Sequence, residues 1–180
     1  MDEPPAWIES AIRDTIRRHE GGFQDDPEDD GNWTGGKQGI GKLKGTKYGI
    51  SAATYPHLDI PNLTVEDAVH IYWRDWWDGS MRWLQKLGAP SVAAKIFDLG
   101  ITMGPRRIVT IAQRAANNAG ANITVDGHAG PQTIAAINRI PHARFLDALK
   151  LEASGHYRRI AWKYPKKRKY LAGWLNRVYA

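Results

Sequence analysis

Glu20 closes the first amphipathic segment of the chain and is followed at once by Gly21-Gly22. At about 100° per residue, the apolar arc of that segment centres on Ile12, Thr15 and His19, and Glu20 lies just past its edge beside Ile16. A carboxyl there is partly buried and sits at the negative end of the helix dipole. Both effects disfavour the ionised form. A carboxyl that stays protonated near neutral pH is what a general acid for glycoside cleavage needs. The two glycines leave room for a bulky ligand. Position alone does not distinguish this from an exposed Glu at a helix end.

Glycoside cleavage usually pairs the acid with a second carboxylate. Asp25, Asp26, Glu28, Asp29 and Asp30 follow within ten residues, and Asp29 could face Glu20 across a turn. A solvated acidic loop is the plain alternative. Asp26, Glu28, Asp30 and Gly31 match the first half of an EF-hand, but Lys37 stands where the bidentate Glu is required. Gly31 to Gln38 approaches a phosphate-binding loop, but Gln38 replaces the magnesium-binding hydroxyl and no apolar strand precedes it. The six histidines form no zinc pair, no serine sits in a nucleophile elbow, and there is no cysteine. Thiol and disulfide chemistry are therefore excluded, and neither a metal nor a cofactor is expected.

Eight tryptophans are many for 180 residues, and Trp73, Trp76, Trp77 and Trp83 cluster. Sugar rings pack their C–H faces on aromatic planes. Trp33 and Trp77 are the candidates for such a contact, against a tryptophan-rich core. Asp98 lies within the most apolar helix, where a carboxylate must be paired. It is either a buried polar anchor or a site residue.

The elements that must position these groups are mostly helical. Periodicity predicts a first helix from about Trp7 to Glu20 and glycine-rich loops with a small hairpin over 24–50, ending in Tyr48-Gly49-Ile50. Thr64 caps the next helix, answered by Asp67, and that helix carries Val65 through Trp77. Further helices are expected over Ser91–Met103, Arg106–Asn118, Pro131–Asn138, Ala143–Lys163 and Lys167–Val178. The fold class is mainly α with a small β-hairpin or sheet after the first helix.

Charge is uneven. Residues 1–30 hold ten acids and three bases, and after Glu152 there is no acid but eight Lys or Arg. The basic end should be drawn to an anionic polymer or surface, or simply solubilise a helix face. The acidic first third argues against a nucleic-acid partner. No stretch is apolar for the length of a membrane span, and Met1-Asp2-Glu3-Pro4-Pro5 lacks the apolar region of a signal peptide. If the protein works outside the cytoplasm, a route other than a signal peptide must release it.

Several motifs together resemble glycoside hydrolase family 108. They are His19-Glu20-Gly21-Gly22-Phe23, the acidic run after it, Gly45-Thr46-Lys47-Tyr48-Gly49-Ile50-Ser51, Asn62-Leu63-Thr64 with Glu66, and Ile71-Tyr72-Trp73. Trp76-Trp77-Asp78, Phe97-Asp98, Val125-Asp126-Gly127 with Gly130-Pro131-Gln132-Thr133, and Gly173 to Val178 follow in order. The family comprises N-acetylmuramidases, lysozyme-like and common as phage and prophage endolysins. The resemblance implies a bacteriolytic, monomeric cell-wall hydrolase with peptidoglycan as partner and Glu20 as catalytic acid. It also implies one domain over 1–180, with a catalytic part to 103 and a peptidoglycan-binding-like helical part over 104–180. Asp29 or Thr46 would position the water, and Tyr48, Trp33, Trp77 and Asp98 would contact substrate. The stretch between Thr34 and Thr46 is longer than in shorter relatives and could form a flap. A non-catalytic wall-binding protein, and a transglycosylase giving anhydro products, stay open as alternatives. So does an envelope contact through the basic final helix.

Overall fold

The structure, a computed structural model, describes residues 6–18 and 22–180. The chain divides into two compact units, Met1–Arg74 and Asp75–Ala180.

In the first unit, α1 (Ala6–Arg18) buries Ile8, Ala11, Ile12, Thr15 and Ile16, the stripe its periodicity predicts. Each fully buried isoleucine contributes roughly 2 kcal/mol to holding that face in place. α1 packs against α2 (Val65–Ile71), and Arg13 bridges Glu9 on its own helix at 2.9 Å and Glu66 on α2 at 3.2 Å. The expected cap of α2 is present as a reciprocal pair. The Asp67 N–H donates to Thr64 Oγ1 at 3.1 Å, and the Thr64 N–H donates to Asp67 Oδ2 at 2.9 Å. These bonds hold the Asp67 carboxyl below its ordinary pKa.

Between the helices, β1 (Thr46–Lys47) and β2 (Ile50–Ser51) form an antiparallel hairpin, with Thr46 opposite Ser51 and Lys47 opposite Ile50. Its two-residue turn is Tyr48-Gly49, at φ +54° and +78°. Two successive left-handed residues make the turn whose twist matches that of the strands. Gly49 is required on a second count, because a Cβ there would strike the hydroxyl of Tyr72. That hydroxyl instead donates to Tyr48 O at 2.9 Å.

Past α2 the chain does not continue as an α-helix through Trp77, as its pattern suggested. Tyr72–Met81 is π-helical and carries the chain from the first unit into the second. Long π-helical runs are rare and often lie near functional sites. Trp73, Trp77 and Met81, four residues apart, are buried along it.

The second unit is all helix and turn among the described residues. α3 (Pro90–Met103) begins on a proline suited to a first helical position and buries most of its surface. A single residue, Gly104 at φ +84° and ψ 153°, separates it from α4 (Pro105–Asn118). Only glycine tolerates that conformation comfortably. α5 (Pro131–Arg139) follows, and the 22-residue α6 (His142–Lys163) packs against α3, α4 and α7 (Leu171–Tyr179).

Gln113 of α4, buried, ties down the connection to α5. Its amide donates to Asp126 Oδ1, His128 O and Thr133 Oγ1 at 2.8, 3.1 and 3.0 Å, and its Oε1 accepts from the Gly127 N–H at 2.9 Å. This explains the spacing of Asp126-Gly127 and Thr133 in the sequence as one staple.

The last helix differs from the expectation. Tyr164 lies before Pro165, a position that resists helical backbone, and it ends α6 at φ −124° and ψ 89°. Pro165–Tyr170 forms a 3₁₀ turn, and α7 starts only at Leu171. The exposed Lys166, Lys167, Arg168 and Lys169 therefore sit on the turn rather than on a helix face. The one basic residue of α7, Arg177, points inward and is buried.

The architecture is mainly α with a small two-stranded antiparallel sheet, in keeping with a lysozyme-like fold.

Candidate active site

Glu20, with His19 and Gly21, lies outside the described residues. What can be built from the sequence upward is the polar patch that the chain lays down immediately after it.

Gln24 is the first anchor. Its backbone exchanges both hydrogen bonds with Thr46, at 2.9 and 2.8 Å, which brings the start of the hairpin back to within a few residues of Glu20 along the chain. Its side chain meets the buried Asn32 amide to amide. Gln24 Nε2 donates to Asn32 Oδ1 at 3.1 Å, and Asn32 Nδ2 donates to Gln24 Oε1 at 2.8 Å. Reversing either amide alone would set like groups face to face, and the bond from Asn32 Nδ2 to the Asp26 carbonyl, which can only accept, fixes which way round the pair sits. Asn32 is wholly buried and also donates to Asp26 O at 2.9 Å.

Two predicted site residues attach to this pair. Thr46 Oγ1 donates to Asn32 Oδ1 at 2.7 Å. The proton of that hydroxyl is thereby spent inward, and its lone pairs are left to accept from a ligand or water. Asp29 caps a short 3₁₀ turn, Asp30–Asn32, through Oδ1, which accepts from the Gly31 N–H at 3.0 Å. Its Oδ2 accepts from Gln24 Nε2 at 3.4 Å, a long contact. One carboxylate and one hydroxyl are thus held by a common amide pair. Such an arrangement can take a proton from a water and orient it.

Trp33 follows Asn32 directly in the chain, and Tyr48 lies two residues past Thr46. Trp33 donates its indole N–H to Pro27 O at 2.9 Å while its ring stays partly exposed. Tyr48 is partly exposed on the hairpin turn, with Lys47 Nζ 5.4 Å from its ring centre. The lysine- and glycine-rich stretch after Trp33 folds back on itself. Thr34 and Lys42 pair through backbone and side chain at 2.9 and 2.8 Å, Gly35 N–H donates to Ile40 O at 3.0 Å, and Gln38 N–H donates to Asp30 Oδ1 at 2.9 Å.

Trp77 and Asp98 belong to the second unit. Trp77 is 0% exposed and packs against Phe97 with ring centres 5.5 Å apart, so its face is occupied by the core. Asp98 is 6% exposed and lies between Lys95 Nζ at 3.6 Å and Arg177 Nη1 at 3.4 Å. Arg177 Nη1 also donates to Asp98 O at 2.9 Å, and Lys95 Nζ donates to Arg177 O at 2.6 Å. This is the anchor of α7 on α3.

The structure also supplies two residues that the sequence reading passed over, Gln24 and Asn32. Neither carries a motif by itself. The signal was present only as an amide pair eight residues apart across an acidic turn.

The family model for glycosyl hydrolase 108 matches residues 13–104. The chain belongs to glycosyl hydrolase family 108. A second model, described as a predicted peptidoglycan domain, matches residues 107–179. A search of curated proteins finds no match. This family 108 protein is accordingly a glycoside hydrolase of the N-acetylmuramidase, lysozyme type that acts on peptidoglycan. The family match takes in the whole Gln24–Thr46 patch and ends at Gly104, the residue between α3 and α4.

Proposed function

We propose that the chain hydrolyses the β-1,4 bond between N-acetylmuramic acid and N-acetylglucosamine, with Glu20 as general acid. The protonated carboxyl donates to the glycosidic oxygen, and the bond breaks through an oxocarbenium-like state. Asp29 draws a proton from the incoming water, and Thr46 accepts a hydrogen bond from it and sets its direction. The observation that carries this reading is the Thr46–Asn32–Gln24–Asp29 network, beginning four residues past Glu20. A preorganised water site favours hydrolysis over cyclisation of the muramic acid.

Mass spectrometry of fragments from purified sacculi tests this. Hydrolysis leaves reducing muramic ends; fragments lighter by one water, the anhydro form, would overturn it.

The basic turn Lys166–Lys169 extends the proposal to the envelope. Lys167 Nζ lies 5.5 Å from the Tyr164 ring centre, and Trp162, two residues before Tyr164 in the chain, is 80% exposed. Cations and an amphipathic ring together suit an anionic lipid surface. Replacing the four cations by Gln should weaken binding to anionic vesicles, and an unchanged, salt-independent affinity would reject the idea. No described helix is long and apolar enough to cross a membrane. The chain would act as a monomer on the periplasmic wall after release from the cytoplasm where it is made.

A further inference from the structure

The second unit contains a groove of about 770 Å³, bounded by the loop after α4, one face of α5 and the α5–α6 junction. That is the size of an ordinary small-ligand site. Its character follows from its residues. Ala135 and Ala136 line it with methyl groups, and Asn122 and Gln132 add two amides, each able to donate and accept. Arg139 and Arg144 supply two guanidinium groups.

No residue lining the groove is aromatic, and none is acidic. A surface built for sugar rings would offer aromatic planes. Neither arginine is paired with a carboxylate among the described residues. Arg144 also stands in the first turn of α6, where the helix dipole disfavours a cation and no acidic residue offsets it. A planar guanidinium matches a carboxylate through two parallel hydrogen bonds.

We propose that this groove binds the peptide stem of peptidoglycan, with its free carboxylates on Arg139 and Arg144 and its small alanine side chains against Ala135 and Ala136. The two amides meet the peptide backbone. The assignment rests on the peptidoglycan reading of the 107–179 segment and is independent of the role of Glu20. It gives the enzyme a hold on the peptide while the first unit supplies the polar patch for the glycan.

The test uses the full chain and a synthetic stem peptide without sugar, followed by calorimetric titration. Three further arms are the same peptide with its carboxylates amidated, glycerol phosphate, and the Arg139→Gln/Arg144→Gln chain. Binding of the free peptide is expected, weakened about tenfold or more by amidation or by the double substitution, the scale of a lost charge-assisted pair. Cleavage of a peptide-free glycan oligomer should be unchanged in the variant. No peptide binding by the wild type, or indifference to amidation, would overturn the assignment. So would glycerol phosphate binding as tightly as peptide. Failure of the muramidase reading shows separately, as a wild-type chain that leaves the peptide-free glycan intact.

Discussion

Thr46 donates its hydroxyl proton to Oδ1 of Asn32 at 2.7 Å, and Asn32 itself has no exposed surface. A surface hydroxyl whose proton is committed to a buried amide is a directed acceptor. It does not need to reorganise when a water arrives, and such preorganisation is where much of catalysis lies.

Removing that acceptor should slow chemistry without unfolding the hairpin. Thr46→Val keeps the shape and the backbone bridge to Gln24. A fall in lytic turnover of about 10²-fold is expected, the usual scale of a lost positioning or acid–base group. Thr46→Ser should recover most of the rate. Asp29→Asn should slow turnover comparably. Turbidity of purified sacculi reads all three. A Thr46→Val enzyme clearing at the wild-type rate would remove Thr46 from the site.

Asp98 makes the opposite case, a carboxylate whose work is structural. Its loss would leave Lys95 and Arg177 facing each other in the core. Asp98→Ala should cost about 3–5 kcal/mol of stability, as breaking a buried ion pair typically does. Denaturant titration measures this. Lysis per folded molecule, assayed well below the melting transition, should stay near wild type. A fully stable but inactive Asp98→Ala chain would restore a ligand-contact role.

A third expectation concerns acid. Burial, and then the charges of Arg107, Arg159 and Arg114, hold the His156 imidazole down from its ordinary value of 6.5 to about 4. The folded form resists the proton that the unfolded chain accepts. The stability gained from keeping it neutral is complete above the ordinary value. It falls as pH drops from about 6.5 toward 4, because the unfolded state then binds more protons. The melting temperature should decline through that window, and His156→Gln should flatten the decline. An identical pH profile in the variant would contradict the assignment.

Helix positions were legible because each rests on a local rule. The Thr64–Asp67 cap, the prolines opening α3 and α5, and the Ile8–Ile16 stripe are all decided within a turn or two of chain. The tertiary roles were harder. Trp77 and Asp98 have residue types that suit a glycan cleft, but only packing shows that one ring is covered by Phe97 and that the other group is held by Arg177, 79 residues away. The break at Tyr164-Pro165 was readable from the proline alone, yet the regular spacing of Leu171, Trp174 and Val178 suggested a longer helix than forms. Asp29 and Thr46 were identified as alternatives for one role. The structure ties both to the same amide pair, which no local pattern announces.

The proton on Glu20 is the step on which the proposed mechanism turns. Glu20→Gln keeps the size of the side chain and removes the acid. The decisive measurement is the clearing rate of purified sacculi by this variant beside its binding to the same sacculi. Clearing should fall by about 10³-fold or more, as expected for loss of an essential general acid, with binding retained. Clearing at the wild-type rate by a chain without that carboxyl would contradict the account.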